Sequence, residues 1–458
     1  MDDREVPVLE EAIGTIWEKA KEMGLDPYPT HFEIVPASIL YEFGAYLLPG
    51  RFSHWTHGKA YYTMKASYDY GLSKIYELVI NANPSYAFLL DTNTLLHNKF
   101  VVAHVFGHTD FFKHNAYFEP TNRQMIETVS QNAQRIRQYS QDEGSLEVER
   151  FLDAVLSISD HIDHYPRRKA AEGRASKAAP APTEDHWGDL FPATGLSSSL
   201  MTGKQERKQQ PPQRRRVPTE PEKDLLYFLL EHADGLDDWQ RDVISIVREE
   251  SLYFVPQMQT KIMNEGWASY WHSHIMRELD LTDDEFVEFG RLHCSVCTPG
   301  QTRMNPYYVG LKIFEDIEKR LGQEKIFEVR ELENDVSFIR SYLTEELCRD
   351  LDLYVFKLED DDWKITDKQW ERVRDTICEA LSNHGTPYIV VEDGDYRGHK
   401  ELYLKHHHDG KDLDTQYAEK TLQYVERIWG RPVHLETKQG EKTLVFTCDC
   451  GDVSKKVK

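Results

Sequence analysis

Cysteine, basic residues and long apolar runs are all scarce in this chain. Six cysteines in 458 residues are too few for a disulfide framework and point to reduced thiols in a cytoplasmic protein. Lys and Arg number 55 against 78 Asp and Glu, a formal net charge of −23. That balance argues against non-specific binding to nucleic acid or an anionic membrane. No run of eighteen apolar residues occurs, so no transmembrane helix is expected. The charged start, Met1-Asp-Asp-Arg-Glu5, leads into no apolar segment of a secretory signal. Aromatic residues, by contrast, make up 12% and crowd around several histidines, a pattern that suits a walled, largely dry cavity. With 40% hydrophobic residues the chain can bury a large core split over two or three domains.

Periodicity divides the chain into helical stretches with a few strand-like ones. Apolar residues at helical spacing mark 8–23, ended by Gly24 and followed by Pro27 and Pro29. A short helix is expected over 36–42. Residues 51–59, with His54 and His57, read as a loop. The alternating runs 74–81 and 85–90 flank Asn83-Pro84 and predict a hairpin. Helices follow over about 122–139 and 146–161, the second ending near His161 and His164, where cationic imidazoles would suit the helix dipole. Residues 166–220 hold 11 Lys/Arg against 6 Asp/Glu with little periodicity, and read as a disordered basic insertion. Helices resume over 224–233, 237–250 and from about 259, where Asp242 and Glu249 share a face of the middle one. Beyond Leu351 the pattern is strand, helix, strand, a small module with four strands in which His406-His-His408 reads as a solvated turn. The expected domains are therefore 1–165, 166–220, 221–350 and 351–458. Cys294 and Cys297 invite a zinc ribbon with Cys448 and Cys450, but the unequal spacing favours free thiols.

The candidate chemistry lies in the run from Phe100 to His114. His104 and His108 are four residues apart, and on a helix positions i and i+4 lie on one face, so both imidazoles can reach one ion. Packing of two histidines into an aromatic helix is the plainer alternative. A strand hairpin followed by a metal-binding helix is the order of zincin-type folds. A second acid-bearing helix, Met263-Asn-Glu-Gly-Trp-Ala-Ser-Tyr-Trp-His272, puts Glu265 among bulky apolar side chains. A carboxylate there requires a partner, and a cation is one such partner.

Longer strings then identify a family. Phe52-Ser-His-Trp-x-x-Gly-Lys59, Ala103-His-Val-x-Gly-His-x-Asp-Phe-Phe112, Trp239-Gln-Arg-Asp242, Arg248-Glu-Glu250, Thr260 to His272, Asn305-Pro-Tyr307 and Trp429 to Thr437 resemble the SpoVR (stage V sporulation protein R) family. The likeness runs along nearly the whole chain except 166–220. It implies a link to spore cortex formation or, in bacteria that make no spores, to a stress or starvation response. There the partners it implies are a PrkA-type serine kinase and a von Willebrand A-domain protein. It supplies no biochemical activity.

The expected fold is α+β, mostly α-helical: a zincin-like (gluzincin-like) helical core with a small sheet, plus a small C-terminal α+β module. The expected metal ligands are His104, His108 and Glu265, because Asn264-Glu-Gly-Trp-Ala268 resembles the segment that carries the third ligand of gluzincins. The ion would be zinc, or iron or manganese, with a position left open for water as in a metal-dependent hydrolase. Val105 stands where the zincin His-Glu-x-x-His pattern has its general base. Asp110, Glu250 and His272 are the candidates to replace it, with Glu147 also considered; Asp110 could instead orient a ligand. Glu249, Glu250 or His272 could hold a second ion. The alternative is a non-catalytic adaptor with a structural metal site, working with the kinase and the A-domain protein.

Overall fold

The computed structural model describes residues 4–69, 77–164, 216–300, 304–359 and 362–458. The expectation of a disordered insertion falls almost wholly outside them. The chain forms two compact units: Met1–Asp160 with Asp234–Tyr388, and His161–Ala233 with Ile389–Lys458.

In chain order the first unit opens with α1 (Val6–Glu22), β1 (Thr30–Val35), α2 (Ala37–Tyr46) and α3 (Trp55–Asp69). Then come β2 (Glu77–Ile80), β3 (Ser85–Leu90), α4 (Leu95–His114), α5 (Met125–Tyr139) and α6 (Ser145–Leu156). The expected hairpin is present as β2 and β3. β3 lies at the centre of its sheet, antiparallel to β2 and parallel to β1, a strand the sequence reading missed. Residues 51–59 are not all loop, because α3 begins at Trp55 and carries His57.

α4 is buried on every side, as a helix without a polar face must be. Thr94 caps its start by accepting from the His97 N–H at 3.2 Å. Its main partner is the helix Lys261–Arg277, equally buried. The two approach closely because Gly107 has no side chain: a Cβ there would sit 2.7 Å from Ala268 Cα. Trp267, Tyr270 and Trp271 fill the surrounding space in one core with Phe106, Phe111 and Phe314.

After α7 (Leu225–His232), which belongs to the second unit, the first unit continues through α8 (Asp238–Gln259), α9 (Lys261–Arg277), α10 (Asp283–Val296) and α11 (Pro306–Leu321). It closes with α12 (Gln323–Leu332), α13 (Asp335–Tyr342), α14 (Glu345–Asp350), β4 (Val355–Glu359), β5 (Asp362–Asp367) and α15 (Trp370–Leu381). The buried start of α9 is capped from a distance: Asp335 accepts from the N–H groups of Ile262 and Met263 at 2.8 and 2.9 Å. A carboxylate at a helix N-terminus meets both the free donors and the dipole.

The expected boundary at Leu351 lies too early. α15 buries Val373 and Cys378, and Cys378 joins the first unit's core with Ile377 and Leu381 packed against it. The start at 221 also shifts. Glu222 bridges Val391, and Phe228 on α7 stacks against Trp429 with ring centres 5.8 Å apart, so this segment belongs to the C-terminal unit.

Among the described residues that unit holds five strands rather than four: β6 (Ile389–Tyr396), β7 (Glu401–His406), β8 (Val433–Gln439), β9 (Lys442–Asp449) and β10 (Asp452–Val457), ordered β10-β9-β8-β7-β6. β7 and β8 are parallel and joined through the helix α16 (Thr415–Trp429), whose end is turned by Gly430 at φ 74°. His406 is not in a solvated turn. It is the last residue of β7, buried, with its Nδ1 2.8 Å from Thr437 Oγ1.

Candidate metal centre

His104 and His108 come from one face of α4, and Glu265 from the facing side of α9. His104 Nε2 and His108 Nε2 lie 3.6 and 3.5 Å from the same oxygen, Glu265 Oε2. Those separations are too long for hydrogen bonds. A tetrahedral ion with bonds of 2.0–2.2 Å sets its ligand atoms about 3.3–3.6 Å apart, and the cluster matches that edge length. His104 Nε2 and Glu265 Oε2 are buried with no hydrogen-bond partner. An ion between them would satisfy both, so the residues fit the group that the sequence implies.

The tautomer of His108 is set by its neighbour. Its Nδ1 is 2.9 Å from Asn264 Oδ1, an oxygen that can only accept, so the proton sits on Nδ1 and Nε2 keeps its lone pair. Burial lowers the pKa of His108, with neighbouring His104 adding to it, so the ring stays neutral. Burial pushes Glu265 up, but the two imidazoles outweigh it and the carboxyl lies below its ordinary value. Neutral nitrogens and an ionised carboxylate are the states a metal requires. Asn264→Ala is expected to weaken zinc binding about 10–100-fold by freeing the His108 ring. Zinc competition with a chromogenic chelator measures it, and unchanged affinity would show that the contact does not orient His108.

The site opens onto a cavity of about 390 Å³ lined by His104, Phe100, Glu77 and Tyr307, among others. Glu77 and Tyr307 were given no chemical role by the sequence. Glu77 begins the edge strand β2, opposite Leu89. Burial pushes its carboxyl up to about 7, with His108 pulling down and Glu265 pushing up. Tyr307 follows Pro306 in the first turn of α11, where Asn305 accepts from its N–H. Its ring stacks on His104 with centres 5.9 Å apart. Burial raises the phenol's pKa, as do Glu265 and Glu77, so it remains a donor.

The expected bases are distributed differently. Asp110 turns away from the cluster: one oxygen accepts from the Asp26 N–H and the other from Trp267 Nε1, each at 2.9 Å, with Arg330 3.6 Å off. It is a positioning residue that locks α4 to α9. Glu250 is bound by Arg51 Nε at 2.6 Å, apart from the three ligands. His272 alone of the three candidates reaches the site. Its Nδ1 is 2.9 Å from Nδ1 of His104. Val105 lies in the apolar core, wholly buried.

Over residues 3–386 the chain matches the SpoVR like protein family, and over residues 387–440 the SpoVR-like C-terminal domain. The chain belongs to the SpoVR family. It is similar to the uncharacterized protein YcgB of Escherichia coli (strain K12), 29% identical over 489 residues that take in 97% of this chain and 94% of YcgB. No solved structure matches. Among the described residues no helix is long and apolar enough to cross a membrane.

Apart from Trp429 to Thr437, which lies in the second unit, the SpoVR strings read from the sequence gather at two places in the first unit. One is the candidate metal centre. The other joins Arg51, His54, His57 and Glu250: Arg51 reaches within 3.4 Å of His57 Nε2, and His54 Nε2 lies 3.2 Å from Asp153. The Trp239 to Asp242 string adds Asp242, which pairs with Arg135 and accepts from Tyr139. Burial, then Arg51 and His54, lower the His57 pKa to about 4. The unfolded chain takes up this proton near pH 6.5 and the folded one only near 4, so folding opposes protonation in between. The wild type is therefore expected to lose stability relative to His57→Gln as pH falls from about 6.5 to about 4, read from thermal midpoints. Parallel curves would show that His57 is not held neutral.

Proposed function

We propose that this SpoVR family protein is a metal-dependent hydrolase acting on an amide bond, with gluzincin-like ligation by His104, His108 and Glu265. The observation that carries the reading is the buried, unpartnered pair His104 Nε2 and Glu265 Oε2, at the ligand spacing of a tetrahedral ion. Zinc suits two imidazoles and a carboxylate, and iron or manganese would also be accepted. A divalent ion held there supplies Lewis acidity and lowers the pKa of a water to about 7.

The chain's own residues supply the rest. Glu77, from the edge strand, takes the proton from the attacking water, the role that the residue at 105 cannot fill. A carboxyl poised near neutrality suits that role. The Tyr307 phenol donates to the oxygen that gains charge when the amide carbonyl is attacked. Phe100, Val101 and Val296 give the cavity an apolar wall that holds out water. A peptide or a peptidoglycan fragment is the substrate class, which would suit the link to spore cortex formation that the family resemblance implies.

Zinc-loaded protein is expected to cleave members of a panel of peptides and peptidoglycan fragments, with activity lost to chelation and in Glu265→Gln. Equal cleavage by Glu265→Gln would place the chemistry elsewhere. A second reading is supported by Val105, an apolar residue in place of the usual base. In it the ion is structural and the protein is an adaptor for a PrkA-type kinase and a von Willebrand A-domain protein. Metal-loaded protein that binds both partners and cleaves nothing in the panel would favour it.

A further inference from the structure

We propose that His272, His293 and Cys297 form a second site, for a thiolate-accepting divalent ion of the zinc class, and that the two sites fill alternately. One ligand atom from each residue lies within 4.8 Å of the others. His293 is in the last turn of α10, and Cys297 follows at i+4 with its N–H donating to the His293 carbonyl at 2.8 Å. Both side chains therefore leave one face. His272, wholly buried on α9, completes the set with Nε2 2.8 Å from His293 Nδ1. Leu292, Ser295 and Val296 of α10, close in sequence to His293 and Cys297, line the same cavity as His104. Two imidazoles and a thiolate select a borderline or soft ion over magnesium or calcium. On binding, the Cys297 S–H bond breaks, a sulfur–metal bond forms and the proton leaves to water.

The alternation follows from counting protons. Each neutral imidazole carries one N–H. If His104 Nε2 holds an ion, its proton is on Nδ1 and points at His272 Nδ1, 2.9 Å away. His272 must then accept there, which puts its own proton on Nε2, facing His293. Its Nε2 has no lone pair left for the second site. If instead His272 Nε2 holds an ion, its proton moves to Nδ1 and His104 must accept. The His104 proton then sits on Nε2 and faces Glu265, which closes the first site. Two ions at once would press two N–H groups together at 2.9 Å. The second site stands independently of the hydrolase reading; only the alternation rests on the first site binding metal.

Cobalt(II) titration of the full-length, metal-stripped chain tests both parts, because thiolate ligation gives a sulfur-to-cobalt charge-transfer absorption. His108→Ala, which disables the first site, should bind a single cobalt with that absorption. Cys297→Ser should bind a single cobalt without it. Wild type should saturate at a single cobalt per chain. If His108→Ala does not fold, as judged by circular dichroism, Glu265→Gln replaces it. Failure of a folded first-site variant to show the thiolate absorption overturns the second site, and two cobalt ions per wild-type chain overturn the alternation. If Cys297→Ser binds none while the first-site variant binds one, the first site fails and the second stands.

Discussion

Glu77→Gln is expected to slow amide hydrolysis by about 10²–10⁴-fold, the range for removing a general base, while metal content stays at the wild-type level. Glutamine has nearly the same shape but cannot take a proton, and Glu77 is not among the three clustered ligands. The pH profile carries a second signature. A general base works only when ionised, so the rate should rise with pH through the pKa of Glu77 and then level. Burial and Glu265 put that pKa at about 7 without metal, and a cation at the cluster pulls it lower. The acid limb of the wild-type profile should therefore lie below pH 7 and be absent from Glu77→Gln. Loss of metal in this variant would mean that Glu77 is a ligand instead, and an unchanged rate would remove it from the mechanism.

Gly266→Ala should be strongly disruptive near the site. A Cβ at position 266 would lie 2.4 Å from the Gly310 carbonyl carbon and 2.5 Å from its Cα. Both are backbone atoms, so no rotamer change relieves the contact, and α9 must move away from α11. Overpacking of this kind costs about 1–3 kcal/mol, and sometimes more. The movement also shifts Glu265, the preceding residue, relative to Tyr307 at the start of α11, so zinc affinity should fall together with stability. Gly290→Ala on α10 is the control. Its added methyl meets nothing within 4 Å, and alanine at a helix interior is expected to stabilise by about 0.5–1 kcal/mol. Equal thermal midpoints for the two variants would show that the α9–α11 crossing does not depend on the glycine pair.

The cluster of His104, His108 and Glu265 was legible because ligation of one ion would require a fixed spacing. His104 and His108 are four apart on a helix, and Glu265 is an isolated acid in an apolar stretch, so local pattern was enough. The same spacing joins His293 to Cys297. It went unread because the two cysteines, Cys294 and Cys297, drew attention to pairing with other cysteines, whereas all six thiols are free. Glu77 and Tyr307 had no such signal. Each reaches the cavity through tertiary packing, one from a sheet edge and one from a helix start. Asp110 illustrates the opposite error. Proximity in sequence to two histidines suggested a base, but six residues beyond His104 its carboxylate faces Trp267 and Arg330 instead. Glu250 and Arg51 are 199 residues apart, and no local pattern could have paired them. In the sheets, β10 was missed because an exposed, Lys-bearing edge strand lacks the apolar alternation that marks a buried one.

Elemental analysis of the purified full-length protein, beside His104→Ala and Glu265→Ala, tests the central claim most directly. The wild type should carry stoichiometric zinc, iron or manganese. Removing Glu265 leaves the first site two imidazoles, and removing His104 leaves it one imidazole and a carboxylate. Both variants should then lose metal from that site, and any ion they retain should be held with a cysteine ligand. Wild-type protein without stoichiometric metal after reconstitution, or variants that keep the wild-type complement with no thiolate ligand, would contradict a metal centre at His104, His108 and Glu265.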